Sequence, residues 1–584
     1  MHIFHTYVRE IFWDRVFLNI KIELPLDIAS REDLKFYFIN KEGFAETELE
    51  ILKKDNIYFT VKVNVTNSGI NRCINNGEYQ LLITNEINIY SLAEFQGKER
   101  YLANNNLCLR YLNNIGAYTV TFNMNENTEK PILNFLFYNT NKKNMEYMEP
   151  QKLNYKEDKL HKYILKAQQT IKKIMRNKKR KAVKICYEFF RTILSNKSRK
   201  RILFLSEQDN ILAQNMRCLY ERMLERDIDK NFKILFSLRK KTSEKVSVLS
   251  SIEMFFKLCV ANIIIIDDHV PVFDWLLLKN TKLIQIWHAG AGFKGVGYSR
   301  WGHKGAPGPF SCHRQYSYCI SGSQKIAHFF SEQFGILDEQ ILPTGMPRMD
   351  KYIDENNKKY TIQQLMEKYP FLINKKIILF APTYRGQNRE NAYYPYDKID
   401  FQEMYNFCKA DDAIVLFKMH PWVSDPVPIE SKFQDRLFDF SNYKDINELF
   451  YITDILITDY SSSMYEYALM NKPMLAYAYD KIQYSLTRGF HRSYDNNVPG
   501  KVCENFPDLL KALKEQDYQY YKHEQYINNH FEFIDTNNRD RVIDWLILDK
   551  LPDIYVNALN NKIKRVREVR NKNFMYLFEG GKED

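Results

Sequence analysis

Hydrophobic and polar residues alternate with two different periods along this chain, and the change of period divides it. Over residues 1–150 the runs "VFLNIKIEL", "LKFYFI", "IYFTVKVNV", "EYQLLIT" and "AYTVTFNM" alternate with period two between Asn, Gly and Asp turns. That pattern predicts the regular short strands of a β-rich accessory region, a sandwich or a small barrel. Over 156–198 the period becomes helical: Leu160, Ile164, Ala167, Ile171 and Ile174 recur on one face, with Lys and Arg on the other. Two series of short apolar runs follow, separated by helix-length segments. "RILFL", "KILF", "NIIIID", "KLIQIW" and "YSYCI" lie in 199–360, and "KKIILF", "AIVLF", "DILIT" and "PMLAY" lie in 370–550. Strands alternating with helices predict parallel sheets, hence two doubly wound, Rossmann-like α/β halves with a cleft between them. Residues 551–584 form a basic tail in which Leu559, Ile563 and Val566 again follow a helical spacing, either a second surface contact or a closing helix.

Charge sharpens this picture at one place. Between Lys159 and Arg201 sixteen Lys and Arg stand against Glu188 alone, a net +15 that exceeds the +12 of the whole chain, so the remainder is slightly acidic. A globally basic nucleic-acid binder is therefore excluded, and no nucleic-acid partner is expected. A basic amphipathic helix suits an anionic membrane surface, with a solvated interdomain helix as the plain alternative. No apolar run reaches the ~20 residues that span a bilayer. Nine cysteines without a CxxC pair or a Cys/His cluster argue against disulfide or zinc frameworks and for a reducing compartment.

Candidate chemistry collects where the predicted strands end. "LIQIWHAGAGFKGVGYSR" carries His288 and, in a glycine-rich loop, Gly290 and Lys294. "IILFAPTYRG" carries Thr383 and Arg385, "IVLFKMHP" carries Lys418 and His420, and "ILITDYSSS" carries Asp459, Ser461, Ser462 and Ser463. Serines at a helix start accept its unpaired amide hydrogens, and those amides together with the helix dipole attract anions. Asn471 and Pro473 mark where that helix stops. Arg385, Lys418 and the serine-capped amides are charge-assisted donors of the kind a diphosphate needs. An imidazole is the side chain that accepts an alcohol proton near neutral pH. The one literal DxD, Asp227–Asp229, lies in "RDIDKN" ahead of a strand, away from these clusters. The sequence requires no cofactor and leaves room for Mg2+.

In the order "WHAGAGFKGVGYSR", "GMPRMD", "APTYRG", "KMHP", "ITDYSSSMYEYALMNKPMLAYAYD", "RGF", the segments between roughly residues 200 and 545 resemble the CDP-glycerol glycerophosphotransferase family, the teichoic-acid-type primases and polymerases. The resemblance implies a GT-B architecture and peripheral attachment to the cytoplasmic face of the membrane. It also implies transfer of a polyol phosphate from a CDP-activated donor to a hydroxyl of a lipid-linked or growing polymer. By position it assigns the family's two histidines to His288 and His420, its diphosphate-binding serines to Ser461–Ser463 beside Asp459, and its downstream arginine to Arg488. Where many members have Trp-His-Gly and then a threonine, this chain has Trp287, His288, Ala289 and Gly290. The expected reaction is attack of an acceptor hydroxyl on the donor's β-phosphorus, with His288 as base and CMP leaving. CDP-glycerol is the first donor expected. CDP-ribitol, a nucleotide-sugar glycosyltransferase on the same fold, and a non-enzymatic binding protein are the alternatives.

Overall fold

The structure is a computed structural model. It describes residues 6–85, 87, 89–92, 94–95, 109–112, 116–124, 133–141, 159–194, 200–207, 210–239, 248–290, 292, 294–300, 306–386, 389–487 and 489–575. Ahead of the α/β region a path of hydrogen-bonded strands runs from Glu94–Phe95 through Tyr7–Asp14, Phe17–Glu23, Tyr58–Asn64, Ala45–Asp55, Lys35–Ile39 and Gly77–Thr84. Alternation explains which side of each strand is buried: in Phe17–Glu23 the residues Leu18, Ile20 and Ile22 are buried, as are Phe59, Val61 and Val63 in Tyr58–Asn64. The long strand Ala45–Asp55 pairs by its first half with Lys35–Ile39 and by its second with Tyr58–Asn64. The register slips between Ile51 and Lys53. Such an irregularity bends a strand, and residues on both sides of it (Leu18, Val61, Phe36, Leu81, Phe135) share one core.

The helix Lys159–Leu194 leads into the α/β region. The side chains of Leu160, Ile164, Ala167, Ile171 and Ile174 lie outside the described residues. Nearer its end, Tyr187 and Arg191 are buried against the first half. The Arg191 guanidinium donates to the carbonyls of Ala261 (2.6 Å), Asn280 (2.6 Å) and Cys259 (3.2 Å), supplying partners to a helix C-terminus. Ile185, Phe189 and Ile193 point outward, as do Leu249, Ile252 and Phe256 of the neighbouring helix Val248–Val260.

Two six-stranded, wholly parallel sheets follow. In space the first runs Lys233–Leu238, Arg201–Ser206, Ile263–Ile266, Lys282–Gln285, Tyr318–Ile320, Ile341–Leu342. The second runs Leu437–Asp439, Ala413–Phe417, Lys376–Phe380, Ile455–Thr458, Met474–Tyr477, Lys501–Cys503. Strands buried on both faces read as unbroken apolar runs, as Ile263–Ile266 does. In each sheet the strand order reverses once, between Arg201–Ser206 and Ile263–Ile266 and between Lys376–Phe380 and Ile455–Thr458. Ligands of open α/β sheets bind at such points, beyond the carboxyl ends of the strands.

One hydrophobic cluster includes residues of both halves, among them Ile202, Phe204, Leu379 and Leu456. After the second half the chain returns to the first, where Asp540 pairs with Arg222 and Arg226 (2.8 Å each). The helix Asp553–Asn571 then lies along the β-rich region, with Arg565 against Glu48 and Arg570 against Glu46. The basic tail thus closes onto acidic side chains of the strand Ala45–Asp55.

Candidate functional site

His288 reaches the first switch point from the adjoining strand, sharing a pocket with Ser206 and Asp267. Beyond Lys282–Gln285 the chain turns sharply at Trp287, whose φ of 33° is in the left-handed region. A bulky residue holds that conformation only when its surroundings impose it, at a cost of about 1–3 kcal/mol. Asn215 imposes it here by donating to the carbonyls of Trp287 (2.7 Å) and Ile286 (3.2 Å), while the Trp287 amide donates to the Gln285 side chain (2.9 Å). The turn presents His288 to a pocket of about 110 Å3 lined by Ser206, Gln214, Asn215, Asp267 and Trp287. Nδ1 of His288 lies 3.1 Å from the Asp267 carbonyl oxygen. A carbonyl only accepts, so Nδ1 carries the hydrogen and Nε2 the basic lone pair.

His420, on the second half, has the opposite tautomer. Its Nδ1 accepts from the Trp422 amide at 3.2 Å, so in the neutral ring the hydrogen is on Nε2. Burial, and then the charges of Lys294 and Lys418, push its pKa down to about 4. At neutral pH this ring is an uncharged donor, flanked by the Tyr384 and Trp422 rings. Lys294 belongs to the loop that His288 opens. That loop crosses to the second half by pairing Lys294 with Phe490 and by the Gly295 amide donating to the Gly489 carbonyl (3.2 Å). One loop therefore joins a base-type imidazole on one half to a donor-type imidazole on the other.

Gly290 meets the helix that the serines open. The Gly290 backbone lies on the Tyr465 ring so closely that a Cβ would be 2.5 Å from it. Tyr465 is on the short helix Ser463–Ala468. That helix ends at Ala468, and Asn471, three residues on, takes the left-handed conformation with φ of 52° before Pro473. At its start the Ser463 amide (3.3 Å) and hydroxyl (2.8 Å) both donate to the Ser461 hydroxyl oxygen, and Ser462 is the N-cap without capping by its own side chain. All three serines are half-buried.

Other expected ligands are turned inward. Asp459 accepts from the Thr383 amide (2.8 Å) and hydroxyl (3.0 Å) and from Arg385 (2.9 Å). Arg385 also grips Asp480 through two bonds of 2.6 and 2.9 Å and donates to the Thr383 carbonyl at 3.0 Å. Thr383, Arg385 and Asp459 therefore tie the two strand ends of the second switch point together, and the guanidinium that a diphosphate would need is committed to carboxylates. The Lys418 ammonium donates to the Ser441 carbonyl at 2.9 Å, and its charge acts on His420. Arg488 lies outside the described residues.

Sequence reasoning passed over the residues that join the halves behind the site. Arg348, in "GMPRMD", is buried and donates to Glu466 (3.1 Å from Nε, with a second contact from Nη2) and to the His288 carbonyl (2.9 Å). Burial alone would weaken its charge; Glu466 overrides that and keeps the guanidinium firmly protonated. The segment was visible in the sequence, yet a single Arg without a periodic partner gave no sign of what it would touch 118 residues away. Among the described residues no group of three or more His, Cys, Asp or Glu is placed to hold a metal ion.

Over its α/β region the chain is similar to known proteins. Residues 187–548 match the family model described as CDP-Glycerol:Poly(glycerophosphate) glycerophosphotransferase. A teichoic acid poly(ribitol-phosphate) polymerase of Bacillus spizizenii is 37% identical over 363 residues, 62% of this chain and 58% of that protein. A teichoic acid glycerol-phosphate primase of Bacillus subtilis is 30% identical over 276 residues, 46% of this chain and 68% of that one. The chain thus spans about three fifths of the length of the ribitol-phosphate polymerase it matches. A structure of the wall teichoic acid polymerase TagF superposes with a TM-score of 0.50 at 24% identity, covering 66% of this chain and 97% of that one, which supports an α/β glycosyltransferase-type fold. With the matched segment taking in both parallel sheets and the loops between them, the chain belongs to the CDP-glycerol:poly(glycerophosphate) glycerophosphotransferase family.

Proposed function

We propose that this chain transfers a polyol phosphate from a CDP-activated donor to a hydroxyl of a teichoic-acid-type acceptor, releasing CMP. The observation that carries the reading is the pair of histidines with opposite tautomers on facing halves, linked by the Lys294 loop. Nε2 of His288 takes the proton of the acceptor hydroxyl as its oxygen bonds to the phosphorus next to the polyol. The bond from that phosphorus to the bridging oxygen breaks, and CMP leaves with the electron pair. The Nε2–H of His420, the Lys294 ammonium and the amide at Ser462 stabilise the diphosphate and the charge on the departing CMP. Positioning and electrostatic stabilisation supply most of the rate in such transfers.

The relatives move the choice of donor. CDP-glycerol is the first expectation from the sequence, but over the aligned residues ribitol-phosphate polymerases of Bacillus spizizenii and Staphylococcus aureus are 37% and 36% identical to this chain, against 30% for the glycerol-phosphate primase. CDP-ribitol is accordingly the preferred donor of this reading and CDP-glycerol the second. For the site of action, the outward Ile185, Phe189 and Ile193, beside Leu249, Ile252 and Phe256 and among the lysines of the same helix, support attachment to an anionic membrane surface. No helix among the described residues is long and apolar enough to cross a membrane.

Incubation with CDP-ribitol, CDP-glycerol and a set of nucleotide sugars, with the released nucleotide identified, tests the reaction. CMP from a CDP-polyol is the expected product; release of UDP or GDP from a nucleotide sugar, with no CMP, would overturn the reading.

A further inference from the structure

All three parts of the chain meet on one buried carboxylate. Glu332, on the helix Ala327–Phe334 of the first half, is 2% exposed. Arg15, at the tip of the hairpin between Tyr7–Asp14 and Phe17–Glu23, places Nε 2.8 Å from one Glu332 oxygen and Nη2 3.3 Å from the other. From the second half, Nε2 of the fully buried His491 lies 2.9 Å from the same carboxylate. Arg15 has a φ of 56°, as the first residue of the two-residue turn that joins Asp14 to Phe17. Burial raises the Glu332 pKa, but His491 and Arg15 outweigh it and hold the carboxyl below its usual range.

Both neighbours of this junction hold the glycine loop. Next to Glu332, Gln333 donates to the carbonyls of Gly292 and Lys294 (3.4 Å each). Its own carbonyl sits where a Cβ on Gly297 would be, at 2.1 Å. Next to His491, Phe490 pairs with Lys294, and the Gly489 carbonyl accepts from Gly295. We infer that Arg15 is a positioning residue for the transfer site: by holding Glu332 it fixes, through Gln333 and the His491–Phe490 segment, the loop that brings Lys294 to His420. This rests on the reading of the site given above. The β-rich region, which lies outside the family-matched residues 187–548, thereby completes the cleft. Arg15 is not required simply to dock that region, because Arg314 with Cys73 (3.1 Å) and Arg565 with Glu48 (3.2 Å) hold it elsewhere.

The test compares Arg15→Met and Arg15→Lys with Arg9→Met, which removes an exposed pair with Glu23 on the same hairpin. Amide hydrogen exchange on peptides covering 286–298 and 489–495 needs no activity, and CMP release from CDP-ribitol and CDP-glycerol supplies kcat and KM. Arg15→Met should speed exchange in both peptides roughly 10-fold and lower kcat/KM by about the same factor, as loss of one charge-assisted bond predicts. Arg15→Lys should fall between, and Arg9→Met should change neither. Unchanged loop exchange in folded Arg15→Met, or an equal effect from Arg9→Met, would overturn the inference. If Arg15→Met does not fold, Glu332→Gln should give the same loop signature, and its failure to do so counts against the proposal equally. A wild-type protein that releases no CMP removes the reaction reading, while the exchange comparison still decides the role of Arg15.

Discussion

Replacing Arg348 separates two things that one side chain does. Its guanidinium neutralises Glu466, itself 4% exposed, and donates to the backbone carbonyl of His288. Arg348→Met leaves a carboxylate buried without its partner, a change that costs about 3–5 kcal/mol. Arg348→Met with Glu466→Leu removes both charges; buried pairs exchanged for apolar residues of similar volume are often neutral, so stability should return to within about 1 kcal/mol of the parent. Turnover should behave otherwise. A hydrogen bond from a charged donor contributes about 1.5–3 kcal/mol, and losing the one that holds the His288 backbone should slow CMP release roughly 10- to 100-fold in both variants. Denaturant unfolding followed by two independent probes and steady-state CMP release measure the two quantities. A double variant that regains both stability and turnover would reduce Arg348 to a counter-ion. A single variant less than about 1 kcal/mol destabilised would show that the pair is not buried as described.

Four further outcomes follow from the same geometry. His288→Ala should lower turnover on the order of 10²–10⁴-fold with modest loss of donor binding, as for other general bases; a folded variant with near-normal turnover removes His288 from that role. Gly290→Ala drives a methyl into the buried Tyr465 ring and should destabilise the protein by about 1–3 kcal/mol while raising the donor KM; an unchanged melting temperature would refute the close approach. Burial holds His313 neutral, with a pKa near 3, and His420 near 4. Between those values and the ordinary pKa of ~6.5 the unfolded chain binds more protons, so stability should fall as pH drops from 6.5 towards 4. His313→Gln should flatten that slope, and an unaltered slope would exclude His313 as its source. Finally, Phe189→Ser with Ile193→Ser should weaken flotation with vesicles rich in anionic lipid while sparing CMP release from a soluble acceptor; undiminished flotation would exclude this face as the contact.

Much of this protein follows from local sequence. The nine apolar runs read as strands in 199–360 and 370–550 all lie in the two parallel sheets, because a strand buried on both faces must be apolar throughout and its neighbours must be helix-length. The short strands Ile341–Leu342, Leu437–Asp439 and Lys501–Cys503 escaped notice, since two or three residues at a sheet edge leave no periodicity to detect. Residue types after strand ends were enough to nominate His288, His420 and the serines, because polar groups directly beyond a buried strand end lie where such sheets bind ligands. Which of the nominated groups face the cleft was not legible. Arg385 and Lys418 have the composition of phosphate ligands, but partners 95 and 23 residues away claim them. The tautomers of the two histidines depend on a carbonyl 21 residues back and an amide two residues on, and only the fold determines which of these each ring nitrogen meets. The same holds for Arg348 with Glu466 and Arg15 with Glu332: one-dimensional spacing sets secondary structure, whereas the pairing of distant charges is decided only when the whole chain packs and buries them together.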